Sequence, residues 1–299
     1  LNKGKSGGFR VYLLCSLLGI LPAHAGLFDS SPSKPAGVSS DTILQIQTAF
    51  DDQRYLDAGK ILDQALLVSG SDPRLTYWAG ELSLARGRYQ DALANFTSIK
   101  ADPKLRGLAL EGEGIALAKL GRADEAMASL QAAVAEDPAA WRAWNALGSE
   151  FDRRHDWSSA EAAYAHAVSG SGGAAIALNN RGFSRLSQKK PDLAILDFVA
   201  ALQKKPDLTP ARNNLRLAMS MQGEYDRAIK GAAAADQAAV LNNAGFAAML
   251  RGDYGKAREL LTQAMKIKGG YYALAAANLE TTQSLAKGQA RDDEHASSR

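Results

Sequence analysis

From residue 43 to residue 287 small and large apolar positions recur with a period of 34 residues. Gly80, Gly114, Gly148 and Gly182 form one column, and the same step reaches back to Ile46 and forward to Arg216. Twelve residues beyond each stands an alanine: Ala58, Ala92, Ala126, Ala160, Ala194 and Ala228. A seventh unit carries Gly245 and Ala257, again twelve apart. Four residues past the alanines come Leu62, Phe96, Leu130, Tyr164, Phe198, Ala232 and Leu261; seven past them come Ala65, Ile99, Ala133, Ala167, Ala201, Ala235 and Ala264. Offsets of four and seven share one face of an α-helix. The pattern therefore predicts repeated helical hairpins, with the glycine of each first helix facing the alanine of the second so that the two cross closely.

Glycine-containing turns join the helices of a hairpin, at Gly87-Arg88-Tyr89, Gly121-Arg122-Ala123, Gly223-Glu224-Tyr225 and Gly252-Asp253-Tyr254. Asp72-Pro73, Asp102-Pro103, Asp137-Pro138 and Lys205-Pro206 stop one hairpin and start the next, because proline ends a helix and is tolerated in the first turn of another. One such hairpin cannot cover its own apolar face, so neighbours must stack. The 34-residue period with this small/large alternation resembles the tetratricopeptide (TPR) repeat. Trp144, Leu147, Gly148, Phe151, Ala160, Tyr164 and Ala167 carry the fullest match. The resemblance implies an all-α helical-hairpin solenoid of about seven hairpins over residues 42–287, closed by a C-terminal capping helix over 272–287. Residues 288–299 read as a disordered polar tail.

The irregularities are specific. Arg216 and Gly245 are 29 residues apart, five short of the period, and the loss falls after Ala228, so the second helix of the sixth unit should be truncated or bent. Arg181, Arg185 and Glu113 occupy positions that are usually apolar. They read either as internal ion pairs, Arg185 with Asp197 for example, or as a polar contact site for a partner. Ile46 leaves open whether the first unit is a full repeat or a degenerate cap.

Residues 1–25 read as a cleavable export signal. Lys3, Lys5 and Arg10 are basic, Val11 to Leu21 is apolar but too short to span a bilayer, and Ala23-His24-Ala25 has the small-x-small form of a cleavage site. A Ser/Pro-rich linker follows over residues 26–41. Cys15, the one cysteine, lies within the signal and is preceded by Tyr12, Leu13 and Leu14 rather than the small residues a lipidation site needs. The mature chain then has no thiol or disulfide, and packing alone must hold it. The net charge of +3 includes the three positives of the signal, so its removal leaves a neutral chain. That gives no electrostatic reason to expect a nucleic-acid partner, and no stable membrane insertion is expected after cleavage.

Catalytic chemistry finds no pattern to rest on. His24, His155, His166 and His295 show no metal-ligand spacing. Gly112-Glu113-Gly114 lacks the third glycine and preceding strand of a dinucleotide site. The expectation is a protein-binding module with no enzyme activity, cofactor or metal. The first helices, which would line an inner groove, carry Asn180, Asn214 and Asn243 two residues before the glycine position, with Asn278 equivalent in the last helix. Asn145, Asn179, Asn213 and Asn242 stand three before it. An amide donates and accepts, so such a row can pair with an extended peptide backbone; it can equally bond the neighbouring hairpin. Beside it run Phe183, Leu186, Leu217, Met221, Phe246 and Met249, as groove wall or as core. If the row binds a partner, alanine at Asn180, Asn214 and Asn243 together weakens binding and leaves melting unchanged. No first helix carries a lysine and an asparagine four apart in register, the pair of carboxylate-clamp TPRs.

The stretches Trp144-Asn145-Ala146-Leu147-Gly148, Asp152-Arg153, Ala160-Glu161-Ala162-Ala163-Tyr164 and Asn179-Asn180-Arg181-Gly182-Phe183-Ser184 are similar to the tight-adherence (Flp) pilus assembly TadD family. So are Arg212-Asn213-Asn214-Leu215-Arg216-Leu217-Ala218 and the short unit before Leu241-Asn242-Asn243-Ala244-Gly245-Phe246. This resemblance implies an exported protein in the periplasm of a Gram-negative bacterium, associated with the outer membrane, whose partners are a secretin or other pilus assembly components. A general periplasmic scaffold for envelope polysaccharide export or cell-wall assembly is the alternative.

Overall fold

The computed structural model describes residues 37–69, 72–268 and 272–297. The signal segment and most of the linker lie outside the described residues. Fifteen α-helices and no strand occur among those described. They pair as α1 (Ser40–Asp51) with α2 (Tyr55–Ser69), α3 (Pro73–Ala85) with α4 (Tyr89–Ile99), and α5 (Arg106–Lys119) with α6 (Ala123–Glu136). Then come α7 (Trp141–Arg153) with α8 (Trp157–Gly170), α9 (Ala175–Ser187) with α10 (Pro191–Lys204), and α11 (Thr209–Met221) with α12 (Tyr225–Ile229). The last hairpin is α13 (Gln237–Leu250) with α14 (Tyr254–Lys268), and α15 (Ala273–Ser297) closes the array. Successive first helices touch one another along the array, whereas successive second helices do not. The first helices therefore line the inner, concave side of a solenoid.

Local sequence accounts for the starts. Ser39 Oγ accepts from the Thr42 amide at 3.1 Å and caps α1; Asp72 caps α3 by accepting from the Arg74 amide at 2.9 Å, with Pro73 in the first turn. Such caps contribute about 1 kcal/mol each. The turns inside hairpins share a feature that only some of the glycines revealed. Gln53, Gly87, Gly121, His155, Lys189 and Gly223, spaced by the 34-residue period, all have left-handed φ between 57° and 88°. Three of the six are not glycine and bear a steric cost there.

All seven alanines of the column are buried, none more than 1% exposed. What a side chain at each glycine would meet first, however, is a larger residue. A Cβ on Gly80 would lie 2.7 Å from the Phe96 ring, on Gly148 2.8 Å from Tyr164, on Gly182 2.7 Å from Phe198, and on Gly114 2.5 Å from Leu130. The glycine thus seats the large side chain sixteen residues on, and the alanine lets the helix carrying it approach. Burying each such side chain contributes about 1.5–3 kcal/mol. The first unit is a full hairpin. Its Ile46 and Leu62 are both buried.

The charged irregularities resolve into internal pairs. Arg181 and Arg185 both bond Asp197, at 2.7 and 2.8 Å, and Arg185 also reaches Glu161 at 2.5 Å. Glu113 accepts from Lys100 at 2.8 Å and from Thr97 and Ser129 at 3.2 Å. The sixth unit is truncated as its spacing predicts: α12 has five residues, and Gly231 at φ 70° turns the chain away. The tail departs from expectation. Helix α15 continues through residue 288 to Ser297, because Ala, Gln, Arg and Glu are good helix formers and a single glycine costs only about 1 kcal/mol.

Candidate functional site

The inner face divides into two halves of different chemistry. In the first, Arg142 on α7 reaches back over two neighbours. Its Nη2 donates to both oxygens of Glu81 on α3 at 3.1 Å, and its Nε lies 3.4 Å from Glu111 on α5. The second Glu111 oxygen accepts from the Ala143 amide at 3.2 Å. All three side chains are at most 6% exposed. Burial pushes the Glu111 carboxyl above its usual range, and the Arg142 charge opposes that shift only partly. Two carboxyl side chains thus share one buried guanidinium at the inner face. Sequence reasoning missed this cluster. A signal existed, since Glu111 stands three residues before Gly114, as Asn145 does before Gly148.

The asparagines continue the same seam. Asn180 Nδ2 donates to Asn145 Oδ1 at 3.1 Å, Asn179 Nδ2 to Asn180 Oδ1 at 3.1 Å, and Asn214 Nδ2 to Asn179 Oδ1 at 3.0 Å. A second stretch runs from Asn278 Nδ2 to Asn242 Oδ1 at 3.1 Å and from Asn242 Nδ2 to Asn243 Oδ1 at 3.3 Å. Asn145, Asn179, Asn180, Asn242 and Asn278 are buried, Asn214 is half-buried, and Asn213 and Asn243 are exposed. The row therefore bonds hairpin to hairpin. Only its exposed members, chiefly Asn213 and Asn243, face solvent at the groove edge.

The apolar candidates behave differently. Phe183, Leu217, Met221, Phe246 and Met249 come together in one cup of about 450 Å³, completed by Leu186, Leu250, Leu285, Ser187 and Thr281. Four successive inner helices, α9, α11, α13 and α15, contribute to it. Phe183, Leu217, Met221 and Phe246 are half-buried, and Leu250 and Leu285 stay 58% and 45% exposed. None of the ten lining side chains is charged. Leu250 and Leu285 were legible by offset: Leu250 stands five residues after Gly245, as Met221 does after Arg216. Leu285 follows Asn278 by seven, as Met221 follows Asn214 and Leu250 follows Asn243.

Gly112 and Gly114 are packing positions, the first against Phe96 and the second against Leu130. Among the described residues no group of three His, Cys, Asp or Glu could hold a metal, and no helix is long and apolar enough to cross a membrane.

The sequence profile of the tetratricopeptide repeat matches residues 43–105, 111–149 and 145–209, more than half of the chain. A thermophilic TPR protein of Thermus thermophilus superposes with a TM-score of 0.54 at 19% identity, over 60% of this chain and 97% of its own. The C-terminal part of a TPR repeat-containing protein from Cytophaga hutchinsonii gives a TM-score of 0.50 at 17% identity, over 79% and 99%. At these identities the likeness is one of fold. No match was found among curated proteins. With the repeat profile over most of its hairpins and the solenoid they build, the chain belongs to the tetratricopeptide repeat family, whose domains mediate protein–protein interaction.

Proposed function

We propose that this protein is an exported scaffold that binds an extended, partly apolar segment of a partner protein in the cup of units five to seven, and serves assembly of a tight-adherence (Flp) pilus machine. The observation that carries the binding reading is the cup itself. Eight apolar side chains from four inner helices form a continuous wall open to solvent, with no charged residue in the lining. Apolar surface left in water at the inner face of a binding solenoid is unfavourable unless a partner covers it. An extended segment fits better than a helix: about 450 Å³ holds a few large side chains, whereas a helix about 10 Å across needs far more. The exposed amides of Asn213 and Asn243 stand ready for its backbone.

The export and pilus parts of the proposal rest on the signal-like residues 1–25 and on the TadD-like stretches of units four to seven. They are tested together by affinity capture from the cell envelope of the native organism with the wild-type chain and Leu217→Asp. A secretin or another pilus assembly component, recovered by the wild type and lost with the variant, supports the proposal. Recovery of polysaccharide synthase components would redirect it to the envelope scaffold reading.

A further inference from the structure

We infer that a second binding site, separate from the inner cup, lies between α8 and the turn from α9 to α10, and that it takes a neutral sugar ring of a saccharide.

The pocket holds about 580 Å³ and opens to solvent. Trp157, Ser158, Glu161, Ala162 and Ala165 of α8 line one side, and Gln188 and Lys190 of the turn line the other. Pockets of about 300–1,000 Å³ take small ligands. The lining has two parts. Trp157 is half-buried and in T-shaped contact with the His155 ring, 5.1 Å between centres; with the exposed methyl groups of Ala162 and Ala165 it supplies an apolar patch. The other lining groups are a hydroxyl, a carboxylate, an amide and an ammonium. A pyranose presents the complement, a flat C–H face ringed by hydroxyls that each donate and accept. One carboxylate and one ammonium balance in the lining, which favours an uncharged ring over an ion.

The polar groups are held in place from behind. Lys190 Nζ donates to Gln188 Oε1 at 2.7 Å, Gln188 Nε2 to Ser184 Oγ at 3.2 Å, and the fully buried Ser184 to Asp152 at 2.6 Å. Glu161 accepts from Arg185 at 2.5 and 3.3 Å, and Arg185 is anchored on the buried Asp197 at 2.8 Å. The bond from Arg185 holds the Glu161 carboxyl below its usual range, so it stays an acceptor. Both ends keep capacity for a ligand, since an ammonium has three donors and each carboxylate oxygen two lone pairs. Groups fixed in advance lose little freedom on binding. The repeat itself does not call for this arrangement. Where Glu161 stands, the second helices of units two, three and five carry Leu93, Met127 and Ile195. Where Ala162 and Ala165 leave the pocket open, unit five has the bulkier Leu196 and Val199.

Indole N–H resonances of the full chain test this on titration with maltose, cellobiose and N,N′-diacetylchitobiose at millimolar concentrations, the Trp157 signal being assigned with Trp157→Phe. At least one disaccharide is expected to shift the Trp157 resonance saturably and to leave that of Trp78, only 1% exposed, in place. Lys190→Gln, at an exposed position, and Glu161→Gln should each weaken that binding about three- to tenfold, whereas Leu217→Asp in the cup should not change it. A Trp157 signal unmoved by all three sugars would overturn the pocket. So would a shift that survives both Lys190→Gln and Glu161→Gln, or one produced by an alanine tripeptide and by no sugar, which would make this a peptide site. The cup takes no part in the measurement, so the two sites stand or fall separately.

Discussion

At the scale of single residues the repeat is held by pairs sixteen apart. Gly148 exists because the Tyr164 ring occupies the space its side chain would take, and that ring is fixed by its hydroxyl donating to Asp152 at 3.0 Å. Gly148→Ala therefore overpacks a site with no free rotamer, at about 1–3 kcal/mol, and calorimetry should show melting lowered by several degrees. Asn180 is a second such residue. Its loss orphans the buried Asn145 Oδ1 and Asn179 Nδ2, about 1–3 kcal/mol for each group. Asn180→Ala should thus lower the melting temperature on its own, in contrast to the idea that the asparagine row could be removed without effect on stability. Glu111 carries the opposite sign. Its folded-state pKa lies above the unfolded value of 4.5, so the folded chain takes up this proton first as pH falls. Its ionised form costs stability at neutral pH, and the cost is relieved as pH drops through the raised value toward 4.5. Glu111→Gln keeps the acceptor for Ala143. Denaturant titrations should show it more stable than wild type at pH 7, the difference closing as the solution is acidified.

At the scale of elements, legibility followed whether a position is decided locally or between hairpins. Helix count, turn positions and the short α12 could be read, because period, glycine turns and the 29-residue interval are properties of the chain itself. The offset of twelve marks which residues are small, but the side chain that each glycine accommodates stands sixteen residues on. The asparagine row was visible but its bonding was undetermined: an amide satisfied by the next hairpin and one offered to a ligand look the same in sequence. The Glu81–Arg142–Glu111 cluster was invisible as a unit because it joins residues 61 apart. The apolar wall was the best-read part of the candidate site, as its offsets from the glycine column place Phe183, Leu217, Met221, Phe246 and Met249 on equivalent turns of neighbouring helices. In α15 residues 288–293 are exposed, and a chain ending at residue 287 should lose the helical signal of the last turns in far-UV circular dichroism while melting at the same temperature as the full chain. A fall in melting temperature would mean that residues 288–297 brace the solenoid.

At the scale of the whole molecule the two halves have different duties. Units one to four are stiffened from within by the aromatic contacts of Phe50 with Trp78 and of Tyr77 with Phe96, and by the buried ion cluster. Their inner surface is occupied by their own side chains. Units five to seven leave theirs open and line it with flexible Met and flat Phe. Methionine and aromatic side chains adapt to varied apolar surfaces, which suits a segment threading between four helices. The most direct test of this division is photo-crosslinking in the native cell with p-benzoylphenylalanine in place of Phe246 in the cup or of Leu196 on the outer face of α10. Adducts to a partner protein from position 246, abolished by Leu217→Asp, with none from position 196, are the predicted result. Adducts from position 196 alone would place the working surface on the convex side and contradict it.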